Sequence, residues 1–170
     1  MNHLFQNKKM KRIIVTSIAI IILIAGGIGF LSKKDAALSV SSDSKVKEVV
    51  DTDLVIQVKD VSEKATFYPV KVEGTKMEVI VVKASDGSVR TAFNTCQVCN
   101  NSGKGYYKQD GNQLVCQNCG NRFGMDDVEV TRGGCNPVPL SEEYKTINTD
   151  TITVSKDILK QAAVLFERWK

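Results

Sequence analysis

The stretch Cys96–Asn121, CQVCNNSGKGYYKQDGNQLVCQNCGN, decides how this chain is read. It holds two Cys-x-x-Cys pairs, Cys96/Cys99 and Cys116/Cys119, with sixteen residues between them. A Cys-x-x-Cys turn presents two sulfurs on one side of a tight loop, and a tetrahedral ion or small cluster needs four such soft ligands about 3.5 to 4 Å apart. Two loops of this kind make a complete thiolate cage. A pair of disulfides in an exported domain is the alternative.

Upstream, the periodicity is that of strands. Leu54–Val61, Ala65–Val72 and Met77–Ala84 are rich in Val, Ile, Phe and Tyr and are separated by short polar breaks, which predicts a β-meander. Asp86-Gly87 is a hairpin-turn signal, and the run VRTAFNTC then delivers Cys96 at a strand end. Asp110-Gly111 makes a second turn, followed by a short strand, Gln113–Val115, that delivers Cys116. The loops Cys96–Asn100 and Cys116–Phe123 therefore read as two fingers facing one metal centre. Downstream, Ser155 can cap a helix whose apolar residues Ile158, Leu159, Ala162, Ala163, Phe166 and Trp169 recur at three- and four-residue steps. The expected packing of that helix is against the sheet.

The N-terminal part sets the compartment. Ile13–Leu31 is nineteen apolar or small residues without a charge, long enough as a helix to cross the hydrocarbon core. Lys8, Lys9, Lys11 and Arg12 precede it, whereas Lys33, Lys34 and Asp35 follow, which predicts a cytoplasmic N-terminus and an extracytoplasmic bulk. A cleaved signal peptide is the alternative. The expected organisation is a basic cytoplasmic segment (1–12), an anchor in the lipid bilayer (13–31), a polar linker (32–47) and a single extracytoplasmic domain (48–170). The net charge of +4 is carried entirely by the four basic residues before the anchor, leaving 19 basic against 19 acidic residues. A balanced exported domain has no electrostatic footprint for nucleic acid.

The segment Ala92–Leu140 resembles the FtrD-like family of bacterial membrane iron-sulfur proteins, associated with iron uptake. The elements that carry this resemblance are the Cys96/Cys99 pair, Lys104-Gly105-Tyr106, the Cys116/Cys119 pair with Gly120, and Gly133-Gly134-Cys135-Asn136-Pro137. It extends over about Leu54–Trp169. It implies a four-cysteine centre, electron transfer in metal uptake, and partners among membrane-embedded iron-uptake or redox proteins. The fingers also resemble those of Rieske domains, with Gly120, Phe123 and the Gly133–Pro139 loop in comparable places. That resemblance implies a mainly β fold: a small Rieske-like antiparallel domain with two metal-binding cysteine loops and a C-terminal helix. Each Rieske finger supplies one histidine, however, and this chain has only His3, on the far side of the anchor. A two-histidine centre is excluded, and an all-thiolate two-iron cluster should have a potential nearer that of plant-type ferredoxins.

Thiolates suit zinc, copper(I) and iron-sulfur clusters alike. The basic segment KKMKR lacks the twin arginines of a folded-protein export signal, which favours zinc or a metal acquired outside. Zinc and an iron-sulfur cluster stand level, with copper(I) behind them. Cys135 is the fifth sulfur, and it reads as a buried thiol, an alternative ligand, a sulfur just outside the ligand set, or a redox partner of a finger cysteine. Tyr106 and Tyr107 read as sheet filler or, as the alternative, as shields of the site. Arg122 and Arg132 are candidate donors to the thiolates or ordinary surface charges. Asp126, Asp127 and Glu129 read as a solvated loop, or as an acidic cluster that attracts iron or calcium. The exported part has no histidine and no catalytic constellation, so a metal-binding or electron-transfer accessory is favoured over an independent enzyme. A zinc-stabilised module docking membrane partners is the alternative function.

Overall fold

The computed structural model describes residues 46–170, so the apolar run Ile13–Leu31, the basic segment and most of the linker lie outside the described residues. Among the described residues no helix is long and apolar enough to cross a membrane. Among the described residues eleven strands follow one another: β1 (Val49–Val50), β2 (Leu54–Gln57), β3 (Thr66–Val72), β4 (Thr75–Lys83), β5 (Val89–Cys96), β6 (Tyr107–Asp110), β7 (Gln113–Cys116), β8 (Arg122–Gly124), β9 (Pro137–Pro139), β10 (Thr146–Ile147) and β11 (Thr151–Val154). The helix α1 (Lys156–Ala162) closes the order. The fold is mainly β with a short C-terminal helix, as expected.

The strands form three sheets, ordered β1-β3-β4-β5-β9, β10-β11-β2 and β6-β7-β8. All pairings are antiparallel except β1 with β3. The central strand β4 explains the layering. Side chains alternate across a strand, so a strand covered on both faces reads as a continuous apolar run. In β4, Met77, Val79 and Val81 enter one core with Leu54, Ile56, Phe93, Ile152, Leu159 and Phe166. Ile80 and Val82 enter a second core with Ala92, Tyr107, Leu114, Phe123 and three cysteines. One face of the large sheet thus carries β2, β11 and α1, and the other carries the cysteine fingers.

Two expectations are corrected. Leu54–Val61 is not the first strand of a meander: β2 ends at Gln57, a 3₁₀ turn takes Val58–Asp60, and the strand pairs with β11 (Ile56 opposite Ile152) in a separate sheet. Hydrophobic alternation states that a strand exists but not which strand it pairs with. The meander that does form is β3-β4-β5, with Val79 paired to both Tyr68 and Phe93. The C-terminal helix is also shorter than Ser155–Trp169. Ser155 caps it, accepting from the Ile158 N–H at 3.4 Å, but the α-helix stops at Ala162 and a 3₁₀ turn covers Ala163–Phe166. The tighter turn lets Phe166 pack edge-on to Phe93 at 6.0 Å and leaves the Leu165 carbonyl to accept from Thr95 Oγ1 at 3.3 Å. Trp169 then donates from Nε1 to the Asn94 carbonyl at 2.7 Å.

Candidate metal centre

β5 carries a bulge between Phe93 and Cys96, opposite Val138 and Pro137 of β9. A bulge bends its strand and re-aims the side chains beyond it. Cys96 leaves this strand end fully buried, its N–H donating to the Gly105 carbonyl at 2.6 Å. The chain turns through Gln97 and Val98 to Cys99, whose N–H points at Cys96 Sγ at 3.3 Å. The Cys99 carbonyl is held twice by Ser102, from N at 3.0 Å and Oγ at 2.7 Å. Gly105 returns beneath this turn so closely that a Cβ there would collide with the Cys99 carbonyl and with Asn100 N. Glycine at this position is a requirement of close backbone approach.

The second finger repeats the plan. Cys116 ends β7, buried, with its N–H on the Asn121 carbonyl at 2.9 Å, and its carbonyl accepts from Gly120 N–H at 2.9 Å. Gly120 has φ +73°, which closes the turn and leaves Cys119 exposed at the tip. The third loop brings Cys135, half-buried, to 3.7 Å from Cys99 Sγ.

The sulfurs therefore converge as two overlapping groups. Cys96, Cys99 and Cys135 form one, and Cys99, Cys116 and Cys119 the other; within each, all sulfurs lie within 4.8 Å of one another. Of the four finger cysteines singled out by spacing, Cys99, Cys116 and Cys119 share one group, while Cys96 is grouped with Cys99 and Cys135 rather than with the second pair. All five thiols are free, with no disulfide among them.

The ionisation of these thiols is divided by environment. Burial pushes Cys99 up to about 11 and Cys116 up to about 12. Burial also works against Cys96, yet the nearby Tyr107 hydroxyl and the Cys99 and Val98 N–H groups outweigh it and set that thiol below its ordinary value. The Asn121 N–H, with neighbouring thiols, lowers Cys119 to about 7. Burial among the thiolates raises Tyr107, which stays a hydroxyl donor. Buried, unpaired thiols backed by N–H donors suit a thiophilic metal or cluster, since a cation supplies the charge that burial otherwise denies.

The remaining candidates fall elsewhere. Tyr107 is buried in the second core and donates to the Cys135 carbonyl at 2.7 Å, so it both fills the sheet and covers the sulfurs. Tyr106 packs edge-on to Trp169 at 6.5 Å. Arg122 pairs with Asp110 at 2.8 Å, and Arg132 donates to Ser141 Oγ at 2.6 Å; both are structural contacts. The acidic residues have separate partners, and not all of them are solvated. Asp126 accepts from Ser85 N and Oγ, Asp127 from Thr131, and Glu129 turns inward to Lys145 Nζ at 2.6 Å and Thr91 N at 2.9 Å. Sequence reasoning missed Gln97, Asn121 and Asn94, polar residues whose partners lie far away in the chain. The only signal for the first two was their place inside or beside a cysteine finger.

A family model described as "Membrane iron-sulfur containing protein FtrD-like" matches residues 58–166. Among solved structures, the chain is similar to the crystal structure of the quaternary ammonium Rieske monooxygenase CntA in complex with the inhibitor MMV12, at 14% identity and a TM-score of 0.41. That match covers 64% of this chain and 32% of the monooxygenase chain, about a third of its length. No curated protein matches the sequence significantly.

Proposed function

This chain belongs to the FtrD-like family of membrane iron-sulfur-containing proteins, and from that membership we propose that it is a membrane-tethered electron carrier of a metal-uptake system, with an iron-sulfur centre held on its cysteine loops. The observation that carries the reading is the convergence of free sulfurs from separate loops, three of them buried against the second core. Cys96, Cys99, Cys116 and Cys119 are the proposed ligands. The centre would supply the one-electron chemistry, and the chain's own part is to hold the thiolates, keep water from Cys96 and Cys116, and tune the potential through the Cys99 N–H. The placement of two ligand turns at strand ends, with a glycine and proline loop over them, favours the Rieske-like reading of the fold.

The apolar run Ile13–Leu31 and its basic flank support an anchor with the domain outside the cytoplasm, where the partner would be a membrane-embedded iron-uptake or redox protein. The test is to purify the full chain without oxygen from cells that make it naturally and to measure iron, zinc, labile sulfide and the visible spectrum. Iron with sulfide, and bands that bleach reversibly on reduction, support electron transfer. One zinc per chain and no colour would sink it and leave a zinc-stabilised interaction module.

A further inference from the structure

The loop that carries Cys135 is fastened to both fingers. Gln97, inside the first finger, donates from its N–H to the Asn136 carbonyl at 3.0 Å and from Nε2 to the Pro137 carbonyl at 3.1 Å, and its Oε1 accepts from Gly133 N at 3.1 Å. Asn121, closing the second finger, donates from Nδ2 to the Cys135 carbonyl at 2.9 Å, and Tyr107 Oη reaches the same oxygen at 2.7 Å. Asn136 Nδ2 also closes the loop on the Gly133 carbonyl. A spare thiol kept as a small apolar filler needs none of these bonds. Cys135 is instead set where its sulfur completes a group with Cys96 and Cys99, while Cys99 also belongs to the group with Cys116 and Cys119.

We propose that the centre takes two metal ions per chain, with Cys135 as a ligand and Cys99 as the bridge. This deepens, and rests on, the reading that the cysteine loops hold a metal centre. One tetrahedral ion has room for four thiolates about 3.8 Å apart. The five sulfurs here divide into two sets of three that share one member, which is the donor set of two ions with a common thiolate. Cys96 and Cys135 are terminal on one ion, Cys116 and Cys119 on the other. Each ion then has one position left for a ligand from outside the chain. Were the ions iron, inorganic sulfide would be a ligand able to complete them.

The test is an anaerobic titration of the metal-stripped full chain, in mild detergent, with cobalt(II). The thiolate-to-cobalt absorption should rise to two equivalents. The cobalt paramagnetic resonance should grow to the first equivalent and fall by half or more with the second, because a shared thiolate couples the two spins. Cys135→Ser, with its fold checked by circular dichroism, should bind one equivalent and show no such fall. One equivalent in the unaltered chain, a second that leaves the resonance undiminished, or an unchanged capacity in Cys135→Ser each overturns the bridged pair while leaving a four-cysteine centre standing. The absence of any thiolate-cobalt band overturns both. The unaltered chain decides the matter by stoichiometry and coupling even where the serine variant fails to fold.

Discussion

Asn94 shows what one buried polar residue does here. It sits in β5 with no exposure, donates from Nδ2 to Glu78 at 2.8 Å, accepts the Tyr107 N–H on Oδ1 at 2.7 Å, and offers its carbonyl to Trp169. Its side chain therefore ties the large sheet to the finger sheet. Replacing it with Ala leaves the buried Tyr107 N–H without its acceptor, and Asn94→Ala should cost about 2 to 3 kcal/mol in chemical denaturation. Lys145 and Glu129 form a second buried connection, with side chains 1% and 12% exposed and Nζ also on Thr91 Oγ1. Removing one member of a buried ion pair costs about 3 to 5 kcal/mol, because the other charge stays buried. Lys145→Ala should lose that much, and Lys145→Ala with Glu129→Gln should lose clearly less than the two single losses added. Full additivity would show that the pair carries no coupling. Gly105→Ala forces a Cβ into the Cys99 carbonyl, so it should lower stability by about 1 to 3 kcal/mol, as overpacking does, and reduce metal content in the same preparation.

At the scale of elements, α1 and its 3₁₀ extension hold the end of the chain on the sheet. Trp169 stacks edge-on with Phe166 at 5.4 Å and donates to Asn94, so Trp169→Phe should keep most of the packing and lose the hydrogen bond, about 1 kcal/mol. Trp169→Ala should cost about 3 kcal/mol or more. Equal losses in the two variants would show that the indole N–H carries the whole effect. What the sequence made legible at this scale follows from period and punctuation. Val89–Cys96 was read to the residue, and β3 and β4 within two residues at either end, because their apolar runs end in turn-forming residues. The partner of β2 was not legible, since Val and Ile mark a strand and carry no information about its neighbour. The end of α1 was not legible either: the apolar spacing continues through Phe166 and Trp169, and only tertiary bonds from Thr95 and Asn94 show why the turn tightens. In the candidate site, the finger cysteines were plain from spacing. The seat of Cys135 was not, because it is set by amide side chains thirty-odd and fourteen residues away, Gln97 and Asn121, which in sequence look like any loop polar residues.

For the whole molecule, the thiols link stability to pH. Cys99 and Cys116 have folded values raised to about 11 and about 12 by burial, above the ordinary thiol value of 9.0. The metal-free fold therefore holds these two protons more tightly than the unfolded chain does. Their contribution is fully present below about pH 9 and is lost progressively as pH rises from there to about 12. Denaturation of the metal-free protein should show a falling midpoint over that window, and Cys116→Ala should flatten the fall; a midpoint independent of alkali would contradict the assignment. Metal reverses the relation, because binding expels the same protons, so affinity should weaken as the solution is acidified. Chelation under reducing conditions should lower the melting temperature and disturb the finger sheet before the sheet formed by β2, β10 and β11, as read by hydrogen exchange.

The two-faced burial of β4 limits how the site can be transplanted. The sulfurs of Cys96, Cys99 and Cys116 rest on a floor to which Ile80 and Val82 belong, and the other side of that same strand is the roof of a different room, furnished by β2, β11 and α1. An engineer who moved only the cysteine loops onto a foreign scaffold would carry the doors and leave the floor behind. The smallest portable unit runs from β3 through β9, and it travels with one naked face that the new host has to clothe.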